Sequence, residues 1–208
     1  MIDKISKKIL DLLSDENDNE EQKEIMLFGI TRIVEDIPKY IGIIIICLAL
    51  GVIKEFCLVM IVTALYKTFT GGVHLHTNIG CFIGSLISML LSIYLPNVLI
   101  KLENIIIPLY VYIYIFSIYI ICVYVPADVP EIPVVNKQRR RRDKIMSFII
   151  LNFLFIASYL FVKDAIYVGI IMLTILNIDI MTTRTVYKIF KNKYGYETYI
   201  PDELLMTE

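Results

Sequence analysis

Apolar residues gather into six runs along the chain, at about 40–53, 56–70, 79–100, 104–125, 145–162 and 165–182. A transmembrane helix needs about 20 mostly apolar residues. The runs at 79–100 and 104–125 reach that length and 145–162 comes close, while the other three are short. Only Lys54-Glu55 separates the first two runs, so 40–66 also reads as one long helix. Ahead of the first run, Ile2, Ile5, Ile9, Leu12 and Leu13 recur at helical spacing against Lys4, Lys7, Lys8 and Asp11. That pattern predicts an amphipathic helix, lying on a membrane surface or packed on the protein. An acidic hinge at 15–24 and a second amphipathic stretch at 22–36 lead into the apolar part. The expected fold is all-α: a polytopic membrane protein of about six transmembrane helices. It has an N-terminal amphipathic region (1–36), a membrane domain (37–182) and a polar, partly helical tail (183–208).

Composition agrees with the pattern. Of 208 residues, 57% are hydrophobic, and mean hydropathy is +0.70. Soluble domains do not combine such values, because the apolar runs would face water. No room is left for a separate soluble catalytic domain, so any site must come from the helices and their connections. The N-terminus does not resemble a signal peptide, since Lys7, Lys8 and Asp11 interrupt its apolar residues. Cys47, Cys57, Cys81 and Cys122 form no Cys-x-x-Cys pair, which argues against a disulfide framework or a zinc site. No cofactor, metal or nucleic acid is expected.

Net charge is −1 and uninformative, but its distribution orients the chain. The basic run from Lys137 to Lys144 belongs in the cytoplasm by the positive-inside rule. With six spans and both termini inside, Lys54, Lys101 and Lys163 are the only basic residues left outside. A single span over 40–66 would export either Arg139–Arg142 or the N-terminal lysines. The six-span count follows, with a tight outer turn at Lys54-Glu55 as its weak point.

One connection carries candidate chemistry. The stretch Gly71-Gly72-Val73-His74-Leu75-His76-Thr77-Asn78-Ile79-Gly80-Cys81 joins the second and third spans and holds both histidines of the chain. A thiol nucleophile needs a base, and histidine suits neutral pH. Cys81 falls in the first turn of the third span, where a helix N-terminus favours a thiolate. On one continuous helix His74 would stand about 10.5 Å away along the axis, at 1.5 Å per residue. The pairing therefore requires a break, which Gly71, Gly72, Asn78 and Gly80 permit. His76 is the competing base. Without chemistry, the histidines are ordinary loop residues and Cys81 packs like any membrane cysteine.

These residues resemble the signature of the accessory gene regulator B family, membrane peptidases of Gram-positive peptide quorum sensing. Gly71, Gly72, His74 and Cys81 match its Gly-Gly-x-His motif with a cysteine seven residues on. Pro126-Ala127-Asp128, followed by prolines and the basic run, is a second match. Lys67 stands where an arginine is common, and Leu75-His76 replaces a usual small residue, which keeps His76 in play. The resemblance implies a cysteine endopeptidase of the bacterial cell membrane that cuts a small propeptide. Cys81 would be the nucleophile and His74 the base, and the acyl-enzyme would be released by cyclisation to a thiolactone. The implied partners are an amphipathic propeptide with an acidic C-terminal tail (AgrD-like), the bilayer and a second copy of the chain.

Other residues carry weaker expectations. Arg139, Arg140, Arg141 and Arg142 suit an acidic peptide tail through their guanidinium forks; the competing role is fixing topology beside anionic lipid. Asp179, an ionisable group near the inner end of the last span, is a candidate third group. Its alternatives are a pair with Arg184 or exposure to cytoplasmic water, the latter being favoured. Ser85, one turn beyond Cys81, is a candidate site residue or a packing residue. A peptide transporter and a non-catalytic membrane scaffold remain alternative functions. A transporter should tolerate Cys81→Ser better than Asp179→Asn.

Overall fold

A computed structural model describes residues 2–14, 19–73, 77–101, 106–130 and 133–199. Among these residues every extended element is a helix, and Gly71 pairs with Ala127 in an isolated β-bridge. The chain forms two compact units, Met1–Ile53 and Lys54–Glu208.

In the first unit, α1 (Ile2–Leu13) packs on α2 (Glu20–Ala49). A reciprocal capping box starts α2: the Gln22 amide donates to Asn19 Oδ1 (2.8 Å) and the Asn19 amide to Gln22 Oε1 (3.0 Å). The second amphipathic stretch and the first apolar run were expected as separate elements. They form one helix of 30 residues that passes through Pro38. A proline inside a helix lacks one backbone bond, yet no capping residue stands near it to end the helix. The turn after α2 lies at Leu50–Val52, not at Lys54-Glu55. Gly51 there has φ +72°, a left-handed backbone that favours glycine. The region 40–66 is therefore two helices.

The second unit contains α3 (Ile53–Thr70), α4 (Asn78–Leu99), α5 (Ile106–Val123), α6 (Lys137–Phe161), α7 (Ala165–Thr182), α8 (Arg184–Ile189) and α9 (Gly195–Tyr199). Helices α4, α6 and α7 are long and apolar enough to cross a membrane, and α5 contributes a shorter apolar stretch, Ile107–Val123. Half of the apolar window of α7 is buried within the protein, against 22% for α4 and 28% for α6. Helix α7 is thus the axis on which α4, α5 and α6 pack. The outward faces stay apolar: Ile87, Leu91, Ile115, Phe153 and Ile156 are all exposed, which suits lipid and not water.

Apolar packing alone gives little specificity between helices in lipid, so polar pairs fix partners. Asn177 on α7 donates to Ser92 Oγ (2.7 Å) on α4. Gly169 admits Pro96 of α4, which a Cβ would meet at 2.8 Å. Tyr114 on α5 donates to Asn152 Oδ1 (2.8 Å) on α6, and Tyr110 to the Phe155 carbonyl (2.7 Å). The basic run, expected as a loop, forms the first turns of α6 behind an Asn136 cap that accepts from the Gln138 and Arg139 amides.

Candidate active site

The geometry starts at the end of α3. Thr70 is fully buried and its hydroxyl donates to the Tyr66 carbonyl. The Gly71 amide closes the last turn on the Lys67 carbonyl (2.9 Å). Gly71 and Gly72 then take φ values of +76° and +139°, which β-carbon-bearing residues rarely adopt. A Cβ on Gly71 would lie 2.2 Å from the Ala127 carbonyl oxygen. The absence of side chains lets this turn dock backbone to backbone on the loop after α5. The Ala127 amide donates to the Thr70 carbonyl (2.8 Å), and the Gly72 amide donates to the Ala127 carbonyl (3.0 Å). The Val73 amide donates to the Met181 carbonyl (3.0 Å) at the end of α7. Three hydrogen bonds thus fix the chain just before position 74.

His74 and His76 lie outside the described residues. Description resumes at Thr77, the N-cap of α4, whose hydroxyl accepts from the Gly80 amide (3.1 Å). The Cys81 amide donates to the Thr77 carbonyl (2.9 Å). Cys81 therefore occupies the first turn of α4, half-buried, as a free thiol. Helix α3 ends at Thr70 and α4 begins at Asn78, so no single helix runs from the glycines to the cysteine. The ends of α3, α5 and α7 and the starts of α4 and α6 all meet at this end of the unit.

The two sequence motifs meet at Gly71 and Ala127, 56 positions apart. Asp128, the third residue of the second motif, is buried; its Oδ2 accepts from the Val134 amide (2.8 Å) and from Arg140 Nη1 (3.5 Å). Arg140 also donates to the Val134 carbonyl (3.3 Å) and lies 4.4 Å from the Tyr196 ring centroid. It is the inward member of the basic run. Arg139, Arg141 and Arg142 are exposed, with Arg139 and Arg142 paired to Asp143.

Asp179 departs from the expectation that it reaches water. It is fully buried, accepting from Tyr66 on α3 (2.8 Å) and from Ser117 on α5 (2.5 Å). Burying a carboxylate is tolerable only when hydrogen bonds replace its water, and two helices supply them. Arg184 pairs instead with Glu197. Ser85 is exposed.

Several residues at the site drew no attention in the sequence. Tyr187 donates to the carbonyls of Ala127 (3.0 Å) and Asp128 (3.2 Å), and its ring stacks on Tyr194 at 4.4 Å and 5°. Tyr194 donates to the Thr182 carbonyl (2.5 Å). Burial pushes its hydroxyl above the ordinary tyrosine range, with Arg184 opposing, so it stays a donor. No local motif marks these tyrosines, and the carbonyls that Tyr187 meets are 59 and 60 positions away.

Two proteins of Clostridium perfringens, both described as AgrB-like, align over 167 residues. The one from strain 13 is 25% identical and the one from strain SM101 26%, each alignment covering 78% of this chain and 76% of the relative. No solved structure matches the chain. The Accessory gene regulator B family matches residues 2–184, a span that contains both glycines, Cys81 and the loop they dock on, and the chain is a member of that family.

Proposed function

We propose that this protein is a membrane cysteine endopeptidase that matures an AgrD-like propeptide, with Cys81 as nucleophile and His74 as base. Family membership ties the chain to accessory gene regulator peptide processing in the membrane. The observation that carries the finer reading is the placement of Cys81. It stands half-buried in the first turn of α4, after a turn held by three backbone hydrogen bonds. A reacting pair needs its parts held in register, since misplacement by about 1 Å can cost roughly 100-fold in rate.

In the proposed reaction His74 takes the thiol proton. Cys81 Sγ attacks the carbonyl that precedes the propeptide's acidic tail, forming the C–S bond. The C–N bond breaks and His74 returns its proton to the leaving amine. A cysteine thiol of the bound peptide then gives its proton to His74 and attacks the thioester. A new C–S bond closes the ring as a thiolactone, and Cys81 leaves as the thiolate. One thioester replaces another, so exclusion of water matters more than driving force. His76 is the alternative base. Asp179 is proposed as a support and not a third catalytic group, because both its oxygens are occupied by Tyr66 and Ser117.

Six spans with both termini inside, and a homodimer, complete the proposal. The meeting of the α3–α4 turn, the α5–α6 loop, the basic start of α6 and the tail at one end of the second unit supports a shared cytoplasmic face. Arg139, Arg141 and Arg142 are the exposed arginines offered there to an acidic tail, while Arg140 is held by Asp128 and Tyr196. The test is cleavage in liposomes of an AgrD-like propeptide. Cys81→Ser and His74→Ala each abolish it; cleavage that persists in Cys81→Ser sinks the peptidase reading, and cleavage that persists in His74→Ala alone moves the base to His76.

A further inference from the structure

We infer that the C-terminal tail is part of the catalytic apparatus: Tyr187 is a positioning residue that holds the Gly71–Val73 turn and, through it, sets the reactivity of Cys81. This rests on the peptidase reading above but concerns a part of the chain beyond Arg184, where the family match ends.

The Ala127 carbonyl takes two donors at 3.0 Å, the Gly72 amide from the turn and the Tyr187 hydroxyl from the tail. Tyr187 therefore fixes the very atom on which the turn is hung. It is 1% exposed, so water cannot substitute for it. The second support of the turn is Met181, whose carbonyl accepts from Val73, and the next carbonyl, Thr182, accepts from Tyr194. The stacked pair Tyr187–Tyr194 thus grips both structures to which the turn is tied. Glycine at 195 lets the tail approach: its amide donates to the Asp128 carbonyl, and a Cβ would lie 2.2 Å from the Val129 carbonyl oxygen. A tail that merely covered the protein would need apolar contact, not donors aimed at these particular carbonyls.

Tyr187→Phe keeps the ring stack and removes only the hydroxyl; Gly195→Ala pushes the tail away by a separate route. Both are made in the full chain and studied in liposomes. Two readouts are taken: amide exchange at Gly72 and Val73, and the rate of Cys81 alkylation by iodoacetamide. Alkylation is mapped by mass spectrometry from about pH 5 to about pH 9, where histidine and thiol groups ordinarily titrate. Both variants accelerate Gly72 and Val73 exchange by roughly five- to thirtyfold, the loss of about one buried hydrogen bond. They also displace the Cys81 pH profile, while Cys57, away from this end, keeps its wild-type profile. Wild-type exchange in Tyr187→Phe overturns the inference. So does faster exchange with an unmoved Cys81 profile, because the tail would then be only structural. A His74→Ala control separates the two claims. If it matches the wild type, the histidine–cysteine pairing fails and the inference falls with it. If it differs while both tail variants match the wild type, only the inference fails.

Discussion

At Gly71 a Cβ would sit 2.2 Å from the Ala127 carbonyl oxygen, on a backbone with φ +76°. Two penalties coincide there, a clash and a conformation that costs about 1–3 kcal/mol for an ordinary residue. Gly71→Ala should therefore lower stability by about that much and abolish propeptide cleavage. Gly72→Ala meets its nearest atom at 3.6 Å and has strain alone, so it should retain measurable cleavage. Thermal unfolding in detergent and the liposome assay check both. Asp179 makes a different prediction. Asp179→Ala leaves Tyr66 and Ser117 as buried donors without acceptors, at about 1–3 kcal/mol. Asp179→Asn keeps an acceptor and should cost less. A larger loss for Asn than for Ala would contradict the hydrogen-bond account. The break between Thr70 and Asn78 was legible in the sequence because its glycines permit a backbone that a continuous helix cannot take. Asp179 was legible as a candidate but not as a buried group, since its partners lie 113 and 62 positions away.

Among elements, the apolar runs from 79 onward located α4, α5, α7 and the C-terminal part of α6, because polar residues bound each run. Helix α2 was not legible as one piece. Periodicity changes character at its middle and Pro38 reads as a boundary, yet the backbone continues. The basic run looked like a loop because four arginines and two lysines carry no apolar signal, and the Asn136 cap that starts the helix is a single residue. The tail was the least legible. Its grip depends on two tyrosine hydroxyls reaching carbonyls that only the fold brings near. The raised Tyr194 hydroxyl gives it a pH signature. A tyrosine harder to ionise when folded contributes stability fully below the unfolded value of about 10 and loses it as pH rises through the higher folded value. Protease resistance of the tail should thus hold to about pH 10 and fall above it, and Tyr194→Phe should flatten that fall. An equal fall in Tyr194→Phe would exclude Tyr194 as its source.

For the whole molecule, the proposed orientation of six spans with both termini inside makes a labelling prediction. Single cysteines replacing Lys54, Lys101 or Lys163 should react with an impermeant maleimide on intact cells. Those at Arg141 or Lys191 should react only after the membrane is opened. Labelling of Arg141→Cys on intact cells would overturn the topology, and with it the placement of Cys81 on the inner face. The account stands most directly on one bond, the thioester between Cys81 and the propeptide. The purified protein in liposomes is mixed with the propeptide, quenched in acid and analysed by mass spectrometry. An adduct on the Cys81 peptide is expected, sensitive to hydroxylamine and absent from Cys81→Ser. Cleavage with no such adduct, or with the adduct on Cys57 or Cys122, would contradict it.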